Sequence, residues 1–365
     1  MRKTTLFFTM ALLSISVIAN EPTDDEMTLA QEVWPKIDNT FEGEDEQTSN
    51  VQQPSNQSYV PIIAYEGTYG LILGMAYFRY PNLNAVNPSD QEFDVLLYAA
   101  SGPVISLETR WKKSQFKENL DLQVFSEVSN FFVNDYPNAQ LDGILIDQKT
   151  AEVKTQLTHN LSKTHNLVYE VELELKEFAE DAPLQYKTGT SVIAGLGYLI
   201  EQRDNGNNSK KGYMLQGVLH LKPHFLSNVG DAAFSTKLEL DARYYTSVTD
   251  KQSIASRAFF QLSNGNLLNA KFGGSNLMRG VSGNRFVGSQ AFTVQNEYRA
   301  QFNQHFGAVG FLSLGQIDTQ DELIINYGVG LRAGLPPDQT QQIRIDFGFD
   351  NQGQRTFMLQ FNQAI

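Results

Sequence analysis

The residues that could carry enzymatic chemistry are few and scattered along the chain. The histidines share no metal-ligand spacing with a nearby acid, and no Gly-x-Ser-x-Gly segment presents a serine nucleophile. We therefore expect no catalytic residue, no metal site and no cofactor. The remaining catalytic interpretation is a hydrolase whose Ser–His pair assembles across strands. The histidines are His159, His165, His220, His224 and His305.

Residues that could form a buried charge network lie near the C-terminus. A glycine-rich segment, 273–288, contains Arg279-Gly280, and its glycines allow tight turns with positive φ. An arginine that leaves water needs a carboxylate, ideally in a bidentate pair. We expect Arg279 to pair with Glu297 or Asp346; the alternative is an arginine solvated on a surface loop. The charged residues that alternate with apolar ones after this segment are Glu297, Arg344 and Asp346.

The elements that must position these residues have a period of two. One face of 169–175 is apolar and the other is all glutamate, and residues 237–244 repeat the pattern with a charged face. Such alternation predicts strands. Many segments reach the roughly 9–11 residues of a membrane strand, whereas sandwich strands have about 5–6. An open sheet edge in hydrocarbon leaves backbone groups unpaired, so we expect a closed antiparallel transmembrane β-barrel.

We count sixteen strands, with twelve or fourteen as the alternative counts because the first three are the least certain. The glycine-rich segment precedes the fifth strand from the C-terminus. The longest gap, 131–149, is expected to be an extracellular loop. The predicted strands are 59–66, 68–80, 91–101, 103–113, 118–130, 150–160, 165–178, 189–203, 211–223, 234–247, 253–270, 289–303, 306–318, 322–334, 341–350 and 354–362.

The N-terminus predicts export. Arg2 and Lys3 precede an apolar stretch, 6–18, which is too short to span a bilayer, and small residues place the expected cleavage after Ala19. Residues 21–50 hold ten acids against one base and too little apolar surface to fold. The expected domains are a signal peptide (1–19), an acidic disordered periplasmic leader (20–57) and an outer-membrane β-barrel (58–365).

The overall composition excludes several function classes. Lys+Arg is 28 and Asp+Glu is 41, so the formal net charge is −13. An acidic chain is a poor nucleic-acid ligand, because phosphate neutralisation needs surplus Lys and Arg. The absence of cysteine excludes disulfide frameworks, thiolate metal sites and a cysteine nucleophile.

The C-terminal part of the chain resembles a known family. Arg279-Gly280 on a long loop, followed by Glu297-Tyr298-Arg299 and four further strands, resembles the outer-membrane assembly-factor superfamily, the BamA/TamA-type bacterial surface antigen barrels. Segments 328–332 (Gly-Val-Gly-Leu-Arg) and 343–348 carry further matches. The resemblance is good over about 270–365 and general over 60–270. Val281 and Ser313 stand where the family has an aromatic residue and an Asp.

The resemblance implies a fold and a function. It implies sixteen strands, a loop that folds into the lumen before the twelfth strand, and an arginine held there by acidic residues of the wall. It also implies a weak seam between the first and last strands, and a role in protein insertion or translocation at the bacterial outer membrane. The leader is too short for a polypeptide-transport-associated domain, so we expect a barrel without such domains.

The expected partners follow from this interpretation. They are outer-membrane lipid and lipopolysaccharide, client outer-membrane proteins or a separate periplasmic protein, and no nucleic acid. The alternative function is a passive channel or structural barrel in which the glycine-rich loop is an internal plug.

Overall fold

A computed structural model describes most of the chain between residues 57 and 361. The described residues are 57–66, 70–80, 91–100, 104–135, 144–178, 188–206, 208–227, 234–264, 270–271, 273, 277–279, 281, 285–335 and 342–361. The expected signal peptide and nearly all of the acidic leader lie outside them. Among the described residues, no helix is long and apolar enough to cross a membrane.

Sixteen antiparallel strands form one sheet in which each strand pairs with the next along the chain, so the strand count of sixteen is confirmed. A 3₁₀ turn, His224–Leu226, follows the ninth strand. The strands are β1 (Gln57–Glu66), β2 (Gly70–Arg79), β3 (Gln91–Ala100), β4 (Ile105–Lys117), β5 (Leu120–Asp135), β6 (Ile144–Asn160), β7 (His165–Phe178), β8 (Gly189–Glu201), β9 (Gly212–Lys222), β10 (Ser235–Thr249), β11 (Gln252–Asn264), β12 (Gln290–Gln301), β13 (Phe306–Ile317), β14 (Ile324–Gly334), β15 (Gln342–Asp350) and β16 (Arg355–Phe361).

The two faces of the sheet differ in chemistry because side chains alternate along every strand. We call the face that carries Glu297 the inner face and the opposite one the outer face. Antiparallel partners point to the same side, so the register carries each face from strand to strand. Glu170 on β7, Asp241 on β10 and Asp346 on β15 all lie on the inner face and are buried.

The outer face is apolar and uncovered. Leu173 on β7 is 52% exposed, Tyr244 on β10 is 58% exposed and Val329 on β14 is 60% exposed. A row of large apolar side chains on this scale is foreign to the surface of a water-soluble monomer. The outer face is therefore suited to an apolar medium rather than to a protein core.

Two predicted boundaries are wrong. The segment 131–149 is not all loop, because β5 continues to Asp135 and β6 begins at Ile144, with Val133 paired to Ile146. The predicted strand 253–270 ends at Asn264, before the glycine-rich connection. Both errors arise where apolar residues do not alternate cleanly, so periodicity gives no signal for the true end.

The two margins of the sheet meet through side chains. Among the described residues, backbone pairing runs from β1 to β16 and does not join these two strands to each other. Instead, inner-face residues of β1 and β2 pack with Leu335 and against Ile343, which lies on the outer face of β15. We call this apolar contact the seam. It consists of Val60, Ile62, Ala76, Phe78, Tyr80 and Leu335, with Leu96 and Ile343 partly buried against them.

The two ends of the sheet carry different connections. In an antiparallel meander of sixteen strands, β1 begins and β16 finishes at the same end, which we call the turn end. The two-residue links 118–119 and 250–251 lie there. The opposite end, which we call the loop end, carries the longest connection, 265–289, between β11 and β12. The turn end also carries the longer links 80–90 and 202–211, but the two shortest links lie there and the longest lies at the loop end. Outer-membrane barrels have short periplasmic turns and longer extracellular loops.

Candidate functional site

The glycine-rich connection is held at its base by backbone and apolar contacts. Ala270–Lys271 pairs with Val287–Gly288 in a short antiparallel ribbon. Beneath it lies a small buried apolar core to which both the connection and strands β12–β14 contribute. The members of this core are Ala270, Met278, Val281, Phe286, Ala291, Ile317 and Ile324. The core fixes Met278 and Val281 against the inner face and so directs Arg279, which lies between them.

Arg279 lies between two carboxylates of the inner face. Its Nη1 is 2.7 Å from Glu297 Oε2 on β12 and 3.2 Å from Asp346 Oδ2 on β15. The guanidinium also covers the ring of Phe311 on β13, with 3.7 Å between Cζ and the ring centroid. Its side chain is only 2% exposed. One loop residue thus contacts three strands, which restrains their relative positions.

Two arginines on strands β12 and β14 complete the charge network. Arg299 Nε is 2.6 Å from Glu297 Oε1, and Arg332 Nη1 is 2.6 Å from Asp346 Oδ1. Arg332 Nη2 also lies 3.5 Å from Glu297 Oε2, which joins the two halves. Glu297 and Asp346 are fully or almost fully buried. Buried carboxylates of this kind are stable as anions only because several guanidiniums surround them.

Glycines make room for this network. A Cβ on Gly330 would lie 2.0 Å from Asp346 Oδ1 and 2.7 Å from Arg332 Nη1. A Cβ on Gly315 would lie 2.6 Å from the sulfur of Met278, the loop residue that precedes Arg279. No real contact is that short, so these strand positions need glycine for close approach of the network and of the loop.

A second arginine fastens the connection to the loop end of the sheet. Arg285 Nη1 is 2.6 Å from Asp350 Oδ2 at the end of β15, and its Nη2 donates to Gln352 Oε1 at 2.7 Å. Asp350 Oδ1 in turn accepts the backbone N–H groups of Gln352 and Gln354. Arg285 therefore binds the hairpin turn between β15 and β16. The carbonyl of Arg279 also accepts a hydrogen bond from Thr356 on β16.

The structure brings together three of the five residues singled out from the sequence: Arg279, Glu297 and Asp346. Arg344 is buried on the same face of β15 and donates from Nη2 to Gln360 Oε1 at 2.9 Å. Gly280 lies outside the described residues. Ser313, which stands where the resemblance expects an Asp, is buried on β13; the second carboxylate comes from Asp346 instead.

Sequence reasoning missed several members of the site. Arg299 and Arg332 could have been predicted from the alternation of side chains. Arg299 lies two residues after Glu297 on β12, and Arg332 lies two residues after Gly330, an inner-face residue of β14 that pairs with Asp346. Asp350 shares the face of Asp346 for the same reason. Arg285 and Phe311 had no such signal, since their partners are supplied by the folded position of the loop.

A cluster of carboxylates lies apart from the network on the inner face. Glu152, Glu172 and Glu174 have carboxylate oxygens within 4.8 Å of one another. Glu174 also pairs with Lys176, and Glu170 pairs with Lys154 and His220 at 3.0 Å each. These contacts make β6–β9 a second charged region of the inner face, held by ordinary lysine–glutamate pairs.

Comparisons with known proteins agree with this architecture. BamA from Haemophilus ducreyi lacking POTRA domains 1–3 superposes with a TM-score of 0.55 at 10% identity, over 85% of this chain and 70% of that one. CdiB from Escherichia coli gives 0.58 at 12% identity, over 86% and 63%. CdiB from Acinetobacter baumannii gives 0.53 at 11%, over 84% and 58%. The chain spans less than two thirds of either CdiB chain, and identities this low show the fold alone.

The family comparison is more specific than the structural one. A search of curated protein sequences found no match. The profile of the Omp85 superfamily domain matches residues 106–364, which is most of the chain and includes the glycine-rich connection and its arginine network. The chain belongs to the Omp85 superfamily.

Proposed function

We propose that the chain is an integral outer-membrane β-barrel that inserts or translocates other proteins. Family membership and the likeness to BamA and CdiB support a role of this class. The uncovered apolar outer face supports a lipid environment, with the turn end in the periplasm, where short turns are the rule. Lipid and lipopolysaccharide would then contact the outer face, and clients or a separate periplasmic partner would approach from the turn end.

The observation that carries this proposal is the construction of the seam. Strands β1 and β2 overlap β15 through apolar side chains, and the described residues include no backbone pairing of β1 with β16. In lipid, unpaired strand edges favour any partner that supplies backbone hydrogen bonds. An extended client segment could pair with either edge by strand addition. In the proposed mechanism the barrel closes through this seam and opens there to admit a client strand.

In the proposed mechanism the glycine-rich connection holds strands β12–β16 in place. Arg279 holds β12, β13 and β15 together, and Arg285 holds the β15–β16 hairpin. We therefore expect motion at β1 and β2, which contact the β14–β15 margin through apolar packing. The proposal gives the chain no catalytic step, metal or cofactor.

The proposal is tested with purified protein in lipid vesicles. A urea-unfolded outer-membrane barrel is added, and its folding is followed by the shift in gel mobility of the unheated sample. We expect folding to be several-fold faster than in empty vesicles. A disulfide between Val60→Cys and Ile343→Cys, both within the seam, should abolish the acceleration under oxidising conditions, and reduction should restore it.

The alternative function, a passive channel with an internal plug, predicts a different result. It predicts large steady conductance in planar bilayers and no acceleration of client folding by the unlocked protein. Equal client folding with and without the protein would overturn the proposed function.

A further inference from the structure

A small cavity opens beneath the arginine network at the turn end of the sheet. Its volume is about 30 Å³, enough for one small polar group. It is lined by turns that follow β8, β10 and β12 and by the adjoining ends of β11, β12, β13, β14 and β15. All fifteen lining residues lie in the described part of the chain, and none is Asp or Glu. The cationic or titratable lining residues are Lys210, Lys251, Arg299, His305 and Arg332.

The arginines that border this cavity belong to the buried network. Arg299 and Arg332 line the cavity, and they pair with Glu297 and Asp346 respectively. Because no Asp or Glu lines the cavity, its lining has an excess of positive groups and favours an anion over a cation.

The lysines at the cavity add to this excess. Lys210 Nζ donates to the amide oxygen of Gln301 at 3.0 Å, which is an uncharged partner. Neither Lys210 nor Lys251 has a carboxylate within 4.0 Å among the described residues. Both ammonium groups can thus take a carboxylate from outside the described sheet without breaking an existing ion pair.

The chain itself carries matching negative charge. Residues 21–50 hold ten acids and one base. This segment ends shortly before Gln57, the first residue of β1, which lies at the turn end with the cavity. The distance along the sheet from β1 to β12 is eleven strand spacings, about 50 Å. A segment of thirty residues reaches up to about 100 Å, so its carboxylates can arrive at the cavity.

We propose that this cavity is a carboxylate-binding site and that its occupant is the chain's own acidic segment, 21–50. A carboxylate placed there would take charge-assisted hydrogen bonds from Lys210 and Lys251. The bound segment would cross the turn end of the sheet. No residue that lines the cavity belongs to the seam, so the inference stands whether or not the chain inserts proteins.

The absence of cysteine allows a direct test in the full-length protein. Thr40→Cys in the acidic segment is combined with Asn208→Cys at the cavity, and disulfide formation is measured under mild oxidation. The control pairs Thr40→Cys with Leu161→Cys, an exposed position in the β6–β7 turn at the same end. We expect at least fivefold more cross-linking to the cavity than to the control.

Two further variants identify the chemistry. Lys210→Gln with Lys251→Gln, and separately the neutralisation of the ten acids to Asn or Gln, should each reduce cavity cross-linking to the control level. Unheated gel mobility shows that each variant is folded. Equal cross-linking at the two positions would overturn the proposal. Persistence of the cavity cross-link after the acids are neutralised would also overturn it, because the segment would then be held by something other than its carboxylates.

Discussion

The inner face is built in two ways at its two margins. On β12–β15 it is a buried network of arginines and carboxylates, tied to a loop at 2.6–3.5 Å between charged atoms. On β1 and β2 the same face carries Val60, Ile62, Ala76 and Phe78 and joins its neighbour through apolar packing. Alternation is identical in both regions, so the difference lies in which side chains occupy the inner positions.

This contrast teaches how one sheet can be rigid at one margin and separable at the other. Ion pairs and hydrogen bonds fix geometry, and breaking one member leaves a buried charge without a partner. Apolar packing lacks direction, and lipid or another apolar strand can replace it. We therefore expect substitutions in the network to change the stability of the whole sheet, and substitutions at the seam to act locally.

The largest effect is expected from Glu297→Gln. The substitution leaves Arg279, Arg299 and Arg332 around a neutral amide in a buried site, and the loss of one partner of a buried pair costs about 3–5 kcal/mol. The free energy of unfolding is measured by urea titration, with unheated gel mobility as the readout. The matched control is Glu239→Gln on the inner face of β10.

The control isolates burial as the cause. Glu239 pairs with Lys237 at 2.8 Å, but its side chain is 26% exposed. An exposed pair contributes about 0–1 kcal/mol. Equal urea midpoints for the two variants would show that the network stabilises the sheet no more than a surface ion pair does.

A smaller loss is expected from Arg279→Ala. Glu297 keeps Arg299 and Asp346 keeps Arg332, so the loss should fall near the lower end of the buried-pair range, about 3 kcal/mol. Arg279→Lys keeps one charge but loses the planar stack on Phe311 and should recover part of the stability. Unchanged gel mobility and unchanged protease resistance of the Ala variant would contradict the anchoring role.

The strands could be predicted from sequence, and the contacts between the two margins of the sheet could not. The glutamates of β7 alternate with apolar residues, and the predicted strand 165–178 matches the observed one. Sixteen strands and the family were likewise predicted and are confirmed. The ends of β5 and β6 were missed, because three consecutive apolar residues, 131–133, carry no period-two signal.

Partners that lie far apart in the sequence cannot be identified before the path of the folded chain is known. Arg285 and Asp350 are 65 residues apart, and only the path of the loop brings them to 2.6 Å. The contacts of the seam are even harder to predict from sequence. Val60 obeys the alternation as an inner residue, but it belongs to a cluster against which Ile343, an outer residue of β15, packs. A rule that assigns faces strand by strand cannot show that one margin of the sheet overlaps the other.

Arg285→Gln should act on one hairpin. It removes the charged partner of Asp350, and a hydrogen bond to a charged group contributes about 1.5–3 kcal/mol. We expect faster amide hydrogen exchange in the β15–β16 turn, residues 350–356, while exchange in β12 stays unchanged. Arg203→Gln, which breaks a turn-end pair with Glu201, is the control and should leave 350–356 unaffected. Faster exchange throughout β12–β15 would assign Arg285 to the global network instead.

The smallest and most local effect is expected from Val60→Thr at the seam. The hydroxyl enters an apolar cluster, which costs about 1–3 kcal/mol when no partner is available. Amide exchange should rise in β1 and β2 and stay constant in β12–β15. Val248→Thr makes the same chemical change at an exposed position of β10 beside the two-residue link 250–251, and it should alter exchange little. If both variants behave alike, the seam imposes no packing constraint. If Val60→Thr destabilises the entire sheet, the two margins are one cooperative unit, and a client could not open one of them while the other stays fixed.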